Sequence, residues 1–260
     1  MRNILSVQYL PVLRKFALGN VLLAFDFDGT LAPVTSVPSR AALRRSTRKL
    51  LQVLTREFPC IVVSGRSRTD VQGRVREIGF VEVIGNHGIE PWNSSRAVAQ
   101  VVEAWKPLLT RRLASLPGVI LEDKEFSFSV HYREARQKRK TIHAIHQAAR
   151  GLTGAYLVGG KQVINIVPRG VADKGLAVER ERKKRRCEKV IFVGDDETDE
   201  SVFALAQRSH LLTIRVGAKR SSLAQFYLRS QREIDSLLRA LHEARGEVRM
   251  NSQALKSYQR

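Results

Sequence analysis

Apolar positions along the chain follow two different rhythms. Residues 20 to 27 form a continuous apolar run, and residues 39 to 56 repeat apolar positions at helical spacing behind Ser39, a candidate N-cap. "CIVVSGR" is a second short apolar run, residues 68 to 78 read as helical again, and "FVEVIGNHG" is a third run ending in a turn. Apolar strands alternating with helices predict a parallel sheet covered by helices. The rhythm returns late in the chain. "ADKGLAVERERKKRR" reads as a helix, "KVIFVGDD" as a strand ending in acids, residues 197 to 207 as a helix, "LLTIRVG" as a strand and residues 230 to 245 as a last helix.

Between these stretches, after Pro91, the pattern changes. A long helical stretch over residues 95 to 115 precedes "VILED" and "FSFSVHYR". The latter alternates, with Phe126, Phe128, Val130 and Tyr132 on one side and Ser127, Ser129, His131 and Arg133 on the other. A helix over residues 134 to 150 then leads to "AYLVGG" and "KQVINIV", which read as a glycine-turned hairpin. Helix plus hairpin, twice, predicts an antiparallel sheet with two helices on one face, a module of about 75 residues. The expected fold is therefore α/β: a Rossmann-like parallel-sheet core, residues 1–90 and 168–246, carrying an inserted α+β module, residues 91–167. Residues 1 to 20 read as a lead-in, and 247–260, polar and aperiodic, as a loose tail. Connections near residues 89 to 94 and 167 to 173 are placed to act as hinges.

Composition narrows the setting more than the function. At 260 residues and 43% hydrophobic, the chain can bury an enzyme-sized core. Its two cysteines, Cys60 and Cys187, form no CxxC, which argues against a disulfide framework or a zinc site and for a reducing, cytoplasmic setting. No apolar run reaches the roughly 18 residues of a membrane span. The opening "MRNILSVQYLPVLRKFALGN" lacks the unbroken apolar stretch of a signal peptide, so Asn93-Ser94-Ser95 is a glycosylation pattern without a sign of secretion. Lys and Arg number 45 against 25 Asp and Glu, a net charge of +20. That field attracts anions, whether nucleic acid, a membrane surface or a phosphorylated small molecule, and does not choose among them.

Chemistry concentrates at the ends of the apolar runs. Asp26 and Asp28 in "VLLAFDFDGTLAPV" follow one strand, Ser64 another, and Asp195 and Asp196 a third, while Lys174 starts a helix. In parallel α/β sheets the ligand crevice lies at these carboxyl ends. An Asp-Gly hairpin is the alternative for "DFDG", but two prolines follow and no matching strand returns. Helix-start acids are the alternative for "GDDETDE", and they do not account for a position directly after "VIFVG". Acids on two strand tips suit Mg²⁺, which takes one or two carboxylates, waters and a phosphate oxygen. One aspartate of the pair can attack phosphorus, and the other can protonate the leaving oxygen and later activate water. Ser64, the backbone amides after Asp26, and Lys174 at a helix start are placed to hold phosphoryl oxygens.

With those residues in order, the chain resembles the haloacid dehalogenase superfamily of phosphatases: "DFDGT", "SGR", the Lys of "ADKG" and "GDDETDE" look like its four motifs, and the insertion sits where its C2-type cap does. More narrowly, "FDFDGTLAP", "GNHGIE", "EDKEFSFSVHYR" and "GKQVINIVPRGVADKG" resemble the trehalose-6-phosphate phosphatases. The resemblance covers roughly residues 20 to 240 and implies a Mg²⁺-dependent hydrolase of trehalose biosynthesis. It implies Asp26 as nucleophile, Asp28 as acid/base, and Ser64, Gly65 and Lys174 around the phosphate. The metal would lie among Asp26, Asp28 (through its backbone carbonyl), Asp195, Asp196 and Asp199. Glu122, Lys124, Arg133 and Lys161 match positions that grip disaccharide hydroxyls, and Arg66, Asn86, His87 and His131 are further candidates beside the substrate. One position departs: Asn165 stands where the family usually has glutamate, so an amide accepting at one atom replaces a two-oxygen acceptor at a substrate position.

Other signals carry less. His143 and His146, three apart on a helix, lack carboxylates at ligand spacing and read as a solvated face. "ERERKKRR", residues 179 to 186, is the densest basic run but has no interleaved aromatics for stacking on bases. The expected molecule is a monomer acting on a small sugar phosphate, with neither membrane nor nucleic acid as partner. The alternatives are a phosphatase of another glycosyl phosphate, of glucosylglycerol type, and a basic nucleic-acid-binding protein whose acid cluster is structural.

Overall fold

Two sheets organise the computed structural model, which describes residues 1–35, 37–171 and 173–257, the side chains of residues 38 and 247–257 excepted. The strands are β1 (Arg2–Asn3), β2 (Val21–Phe25), β3 (Cys60–Val63), β4 (Glu82–Ile84), β5 (Ile120–Asp123), β6 (Phe128–His131), β7 (Ala155–Gly160), β8 (Val163–Pro168), β9 (Lys189–Gly194), β10 (Leu211–Val216) and β11 (Phe226–Leu228). The helices are α1 (Leu10–Phe16), α2 (Arg45–Leu54), α3 (Arg68–Arg74), α4 (Arg96–Leu113), α5 (Lys138–Ala149), α6 (Lys174–Lys184), α7 (Glu200–Phe203) and α8 (Ile234–Ser257).

The larger sheet is parallel throughout, in the order β1-β11-β10-β9-β2-β3-β4. Both its faces are covered, which is why its central strands read as unbroken apolar runs. Along β2, Val21, Leu23 and Phe25 enter the core formed with α1, α2, α3 and α8, while Leu22 and Ala24 enter the core formed with α6 and α7. The chain winds from β2 toward β4 on one side and from β9 toward β11 on the other. The order therefore reverses beside β2, where such sheets open a crevice.

The second sheet is antiparallel, β5-β6-β8-β7, and only one of its faces is apolar. Phe128, Val130, Ile164 and Ile166 pack under Val102, Trp105 and Leu109 of α4 and Ile145 of α5. The intervening residues Ser129, His131 and Asn165 turn to the other face, toward the larger sheet. The alternation expected of "FSFSVHYR" is thus the boundary between a core and a cavity wall.

Several elements differ from expectation. The helix expected to start behind Ser39 begins at Arg45, because Arg74 Nη1 takes the carbonyls of Ser39 (3.2 Å) and Ala41 (2.5 Å) and holds that stretch out of the helix. Residues 1 to 20 contain β1 and α1, and β11 was not foreseen; strands of two and three residues show no period and exist through their ladder partners. The backbone of α8 stays helical through Ser257, where a loose tail was expected from 247; no proline follows Gly246 to stop it, and residues 258–260 lie outside the described residues. No helix among the described residues is long and apolar enough to cross a membrane.

Asp235 ties α8 to α2, its carboxylate accepting from Ser46 Oγ (2.6 Å) and Thr47 Oγ1 (2.5 Å) while 8% exposed. Replacing it strands the buried Thr47 hydroxyl. Asp235→Ala is expected to lower unfolding free energy by about 2 kcal/mol in urea denaturation.

Candidate active site

The carboxyl ends of β2, β9 and β3 lie side by side, so residues far apart in the chain become neighbours. Asp26 follows β2, Asp195 follows β9 and Ser64 follows β3. Asp199 folds back over the turn after β9, its Oδ2 accepting from the backbone N–H of Asp195 (2.8 Å) and Asp196 (2.9 Å). Lys174, first residue of α6, is buried with its Nζ 2.7 Å from Asp26 Oδ1 and 2.8 Å from Asp199 Oδ1. Two glycines permit this crowding. A Cβ on Gly29 would lie 2.2 Å from Asp195 Oδ2, and one on Gly65 would lie 2.4 Å from the His87 ring.

Burial sets the electrostatics. It pushes the Asp26 carboxyl well above the usual range, with Asp199 and Asp195 adding to the push and Lys174 opposing it. Burial likewise pushes Asp195 up to about 6, against the pull of Lys161, whose Nζ contacts Asp195 Oδ2. Asp196 is raised by the same cause. Burial works against the Lys174 ammonium, yet Asp199 and Asp26 outweigh it and hold it above its ordinary range. Asp26, Asp195 and Asp199 each offer an oxygen within 4.8 Å of the others, the one such ligand group among the described residues. Three mutually repelling carboxylates, two at strand ends and one on the turn after β9, fit a hard divalent cation.

Asp28 is set apart from that triad. Its carboxylate accepts Arg66 Nε (2.6 Å) and Nη2 (2.8 Å) in a two-pronged pair, and it faces the cavity. The cavity between the sheets is also lined on the core side by Asp26, Gly65, Arg66, His87, Lys174 and Asp196. From the smaller sheet come Glu122, Lys124, His131, Arg133, Lys161 and Asn165. Lys124 Nζ donates to Gly65 O (2.9 Å) and to Ser129 Oγ (2.6 Å), and burial pulls this ammonium below its ordinary range. His131 Nε2 lies 2.7 Å from Glu122 Oε2, and this bond together with Lys124 holds the Glu122 carboxyl low against its burial. Burial first, then Lys124 and Lys174, pull the His87 imidazole well below its ordinary range.

Four expected residues do not line the cavity. Asp195 and Asp199 lie behind it in the triad, and Ser64, fully buried, has its Oγ accepting from Arg66 N (3.2 Å). Asn86, expected beside the substrate, instead joins the two sheets: its Nδ2 donates to Glu90 Oε2 (2.7 Å) and Lys124 O (3.1 Å), and its Oδ1 accepts from Ser127 Oγ (2.6 Å). Sequence reading also passed over Thr30, whose Oγ1 donates to Asp195 Oδ1 (3.3 Å), and Ser129, which donates to Asn165 Oδ1 (2.6 Å). For Ser129 the signal was there, on the polar side of the alternating strand.

His143 and His146 are exposed on α5, away from the acid triad. Within the basic run, Glu179 pairs with Arg182 (3.2 Å) and His210 (2.8 Å), Glu181 pairs with Arg185 (2.8 Å), and Arg180 stacks over Trp92 (4.6 Å). Two of these pairs lie within the run, and the contacts with His210 and Trp92 tie α6 to its neighbours.

A parallel sheet with paired acids after its central strand, under an inserted antiparallel cap, places the chain among the capped haloacid-dehalogenase-like phosphatase folds. The trehalose-phosphatase family model matches residues 24–232, and the chain belongs to that family. Among proteins it is similar to is the trehalose-phosphate phosphatase of Mycobacterium ulcerans, 34% identical over 194 residues, covering 69% of this chain and 50% of that protein. The chain thus spans about half of that relative's length. The C-terminal domain of C. albicans trehalose-6-phosphate phosphatase superposes with a TM-score of 0.73 at 19% identity, covering 91% of this chain and 96% of that one. A trehalose-6-phosphate phosphatase related protein gives a TM-score of 0.68 at 25% identity, covering 88% and 99%.

The raised Asp195 carboxyl has a signed consequence. An unfolded-chain aspartate titrates near ~4. Keeping Asp195 ionised in the folded state therefore costs stability that sets in as pH rises from there and is complete above about 6. In EDTA, Asp195→Asn is expected to exceed wild type in unfolding free energy by on the order of 1 kcal/mol in urea denaturation at pH 7.5, with the gap closing toward pH 4.

Proposed function

We propose that this chain is a Mg²⁺-dependent phosphatase of a sugar phosphate, trehalose 6-phosphate before others, working through an aspartyl-phosphate. The observation that carries the reading is the buried cluster of Asp26, Asp195, Asp199 and Lys174, of which Asp26 and Lys174 line a cavity roofed by a polar sheet face. Family membership and the phosphatase names of the relatives support the same substrate class. The division that serves this function is a catalytic core of residues 1–90 and 168–246 beneath a specificity cap of residues 91–167, in a monomeric, cytoplasmic enzyme.

Mg²⁺ bound among Asp26, Asp195 and Asp199, with the Asp28 carbonyl and Asp196 adjacent, would neutralise charge on the transferring phosphoryl group. The protein's own groups carry the bonds and protons. An Asp26 oxygen attacks phosphorus, and the ester P–O bond breaks as Asp28 gives its proton to the departing sugar oxygen. Ionised Asp28 then takes a proton from water while the water oxygen attacks phosphorus, the Asp26–phosphorus bond breaks and phosphate leaves. Lys174 fixes Asp26 and Asp199 relative to each other. Glu122, Lys124, His131, Arg133 and Lys161 present acceptors and donors to sugar hydroxyls, and the cap excludes water.

Asn165 favours a second reading within this class. Its Oδ1 already accepts from Ser129, so the roof offers an amide N–H at this point rather than a free carboxylate. Another glycosyl phosphate, such as a glucosylglycerol phosphate, would suit that exchange.

Phosphate release across a sugar-phosphate panel tests both readings. Mg²⁺-dependent turnover is expected, and Asp26→Asn is expected to lower kcat by more than about 10³-fold. Undiminished activity in Asp26→Asn would overturn the mechanism. If trehalose 6-phosphate is not the best substrate of the wild type, Asn165→Glu is expected to shift preference toward it.

A further inference from the structure

Asp28 does not stand alone at the cavity edge but ends a chain of alternating charges. Arg66 uses Nε and Nη2 on the two Asp28 oxygens, and its remaining arm, Nη1, reaches Asp70 Oδ2 at 2.8 Å. The other oxygen of Asp70 accepts Arg74 Nε at 2.9 Å, and Arg74 holds the carbonyls of Ser39 and Ala41 in the loop that follows Asp28. Asp70 thus sits on α3 with one oxygen for each arginine, and Ser67 caps that helix by accepting the Asp70 N–H (3.4 Å).

The geometry on Asp28 is that of an aiming device. A two-pronged guanidinium fixes the plane of a carboxylate, not only its charge. It occupies one lone pair on each oxygen and leaves a second on each. The Asp28 side chain remains 38% exposed, so those free positions face the cavity. Arg66 also lies over the Phe27 ring (5.8 Å), and the third arm on Asp70 adds a directional bond that holds the guanidinium plane. A helix-dipole role explains an acid in the first turn of α3 but needs neither of these aimed bonds.

We infer that Asp70 is a positioning residue that acts through Arg66 to hold Asp28 in line with the scissile ester oxygen. The inference rests on the phosphatase reading above and adds a residue to it. It has a signature that a merely structural role lacks. A sugar alkoxide is a poor leaving group and departs only as Asp28 delivers its proton, whereas a nitrophenolate leaves unaided. Misdirecting Asp28 therefore penalises the first ester more than the second.

The experiment compares full-length wild type and Asp70→Asn, with Mg²⁺, on p-nitrophenyl phosphate and on the sugar phosphate that the wild type hydrolyses fastest. Relative to wild type, kcat/KM of Asp70→Asn, which reports the step that releases the leaving group, is expected to fall about tenfold further on the sugar phosphate than on the aryl ester. Equal fractional losses on the two esters, or no loss, would overturn the inference while leaving the phosphatase reading in place. Wild type that hydrolyses neither ester would remove both. If Asp70→Asn does not fold, Asp70→Glu, which keeps the negative charge but displaces Arg66 by a methylene, takes its place, and the same selective loss is expected.

Discussion

Carboxylates that crowd together without water must be neutralised, and this constraint shapes the centre of the molecule. Asp26, Asp195 and Asp199 lie on adjacent strand ends or the turn between them, where solvation is lost and mutual repulsion is strong. Lys174 bridges two of the three, and Lys161 reaches the third from the cap. Neither lysine can be moved without leaving a buried charge unpaired, which costs far more than an exposed ion pair contributes. The start of α6 and the turn between β7 and β8 are accordingly fixed by the charges they must satisfy.

The cap repeats this logic in milder form. One face of its sheet is sealed by α4 and α5, so the polar residues of the alternating strands have only the cavity to face. They pair with one another rather than stand alone: His131 with Glu122, and Lys124 with Ser129, which also bonds Asn165. Arg133 donates to Thr35 O and Lys124 to Gly65 O, so the polar face is also the contact by which the cap rests on the core. The cavity wall and the contact between the two sheets therefore share the same side chains. A ligand entering the cavity must exchange bonds with groups that already have partners, and this couples binding to the fit between cap and core.

The excess positive charge divides along the same lines. Part of it faces the cavity, where it suits an anionic substrate. In "ERERKKRR", two acids within the run fold inward as anchors for its own bases, and Arg180 lies over Trp92. A charge total taken from composition does not distinguish cations that meet solvent from cations that clamp a helix.

By itself the amino-acid sequence determined the succession of elements and the chemistry at their tips, because both are written in local terms. A doubly buried strand must be apolar along its length, a half-buried one must alternate, and "DFDG" and "GDD" directly after apolar runs place acids at carboxyl ends. Strands as short as β1 and β11 escaped this reading, since their hydrogen-bond partners, and not their own pattern, make them strands. The tertiary structure alone decided which polar groups meet. Lys174 reaches Asp26 across 148 positions of sequence, Asn86 bonds Lys124 and Ser127 some 40 positions away, and Asp70 takes the third arm of the arginine that pairs with Asp28. Such pairings depend on strand order, on a cap folded back over the core and on distances of a few tenths of an ångström. No local pattern of side chains encodes those quantities.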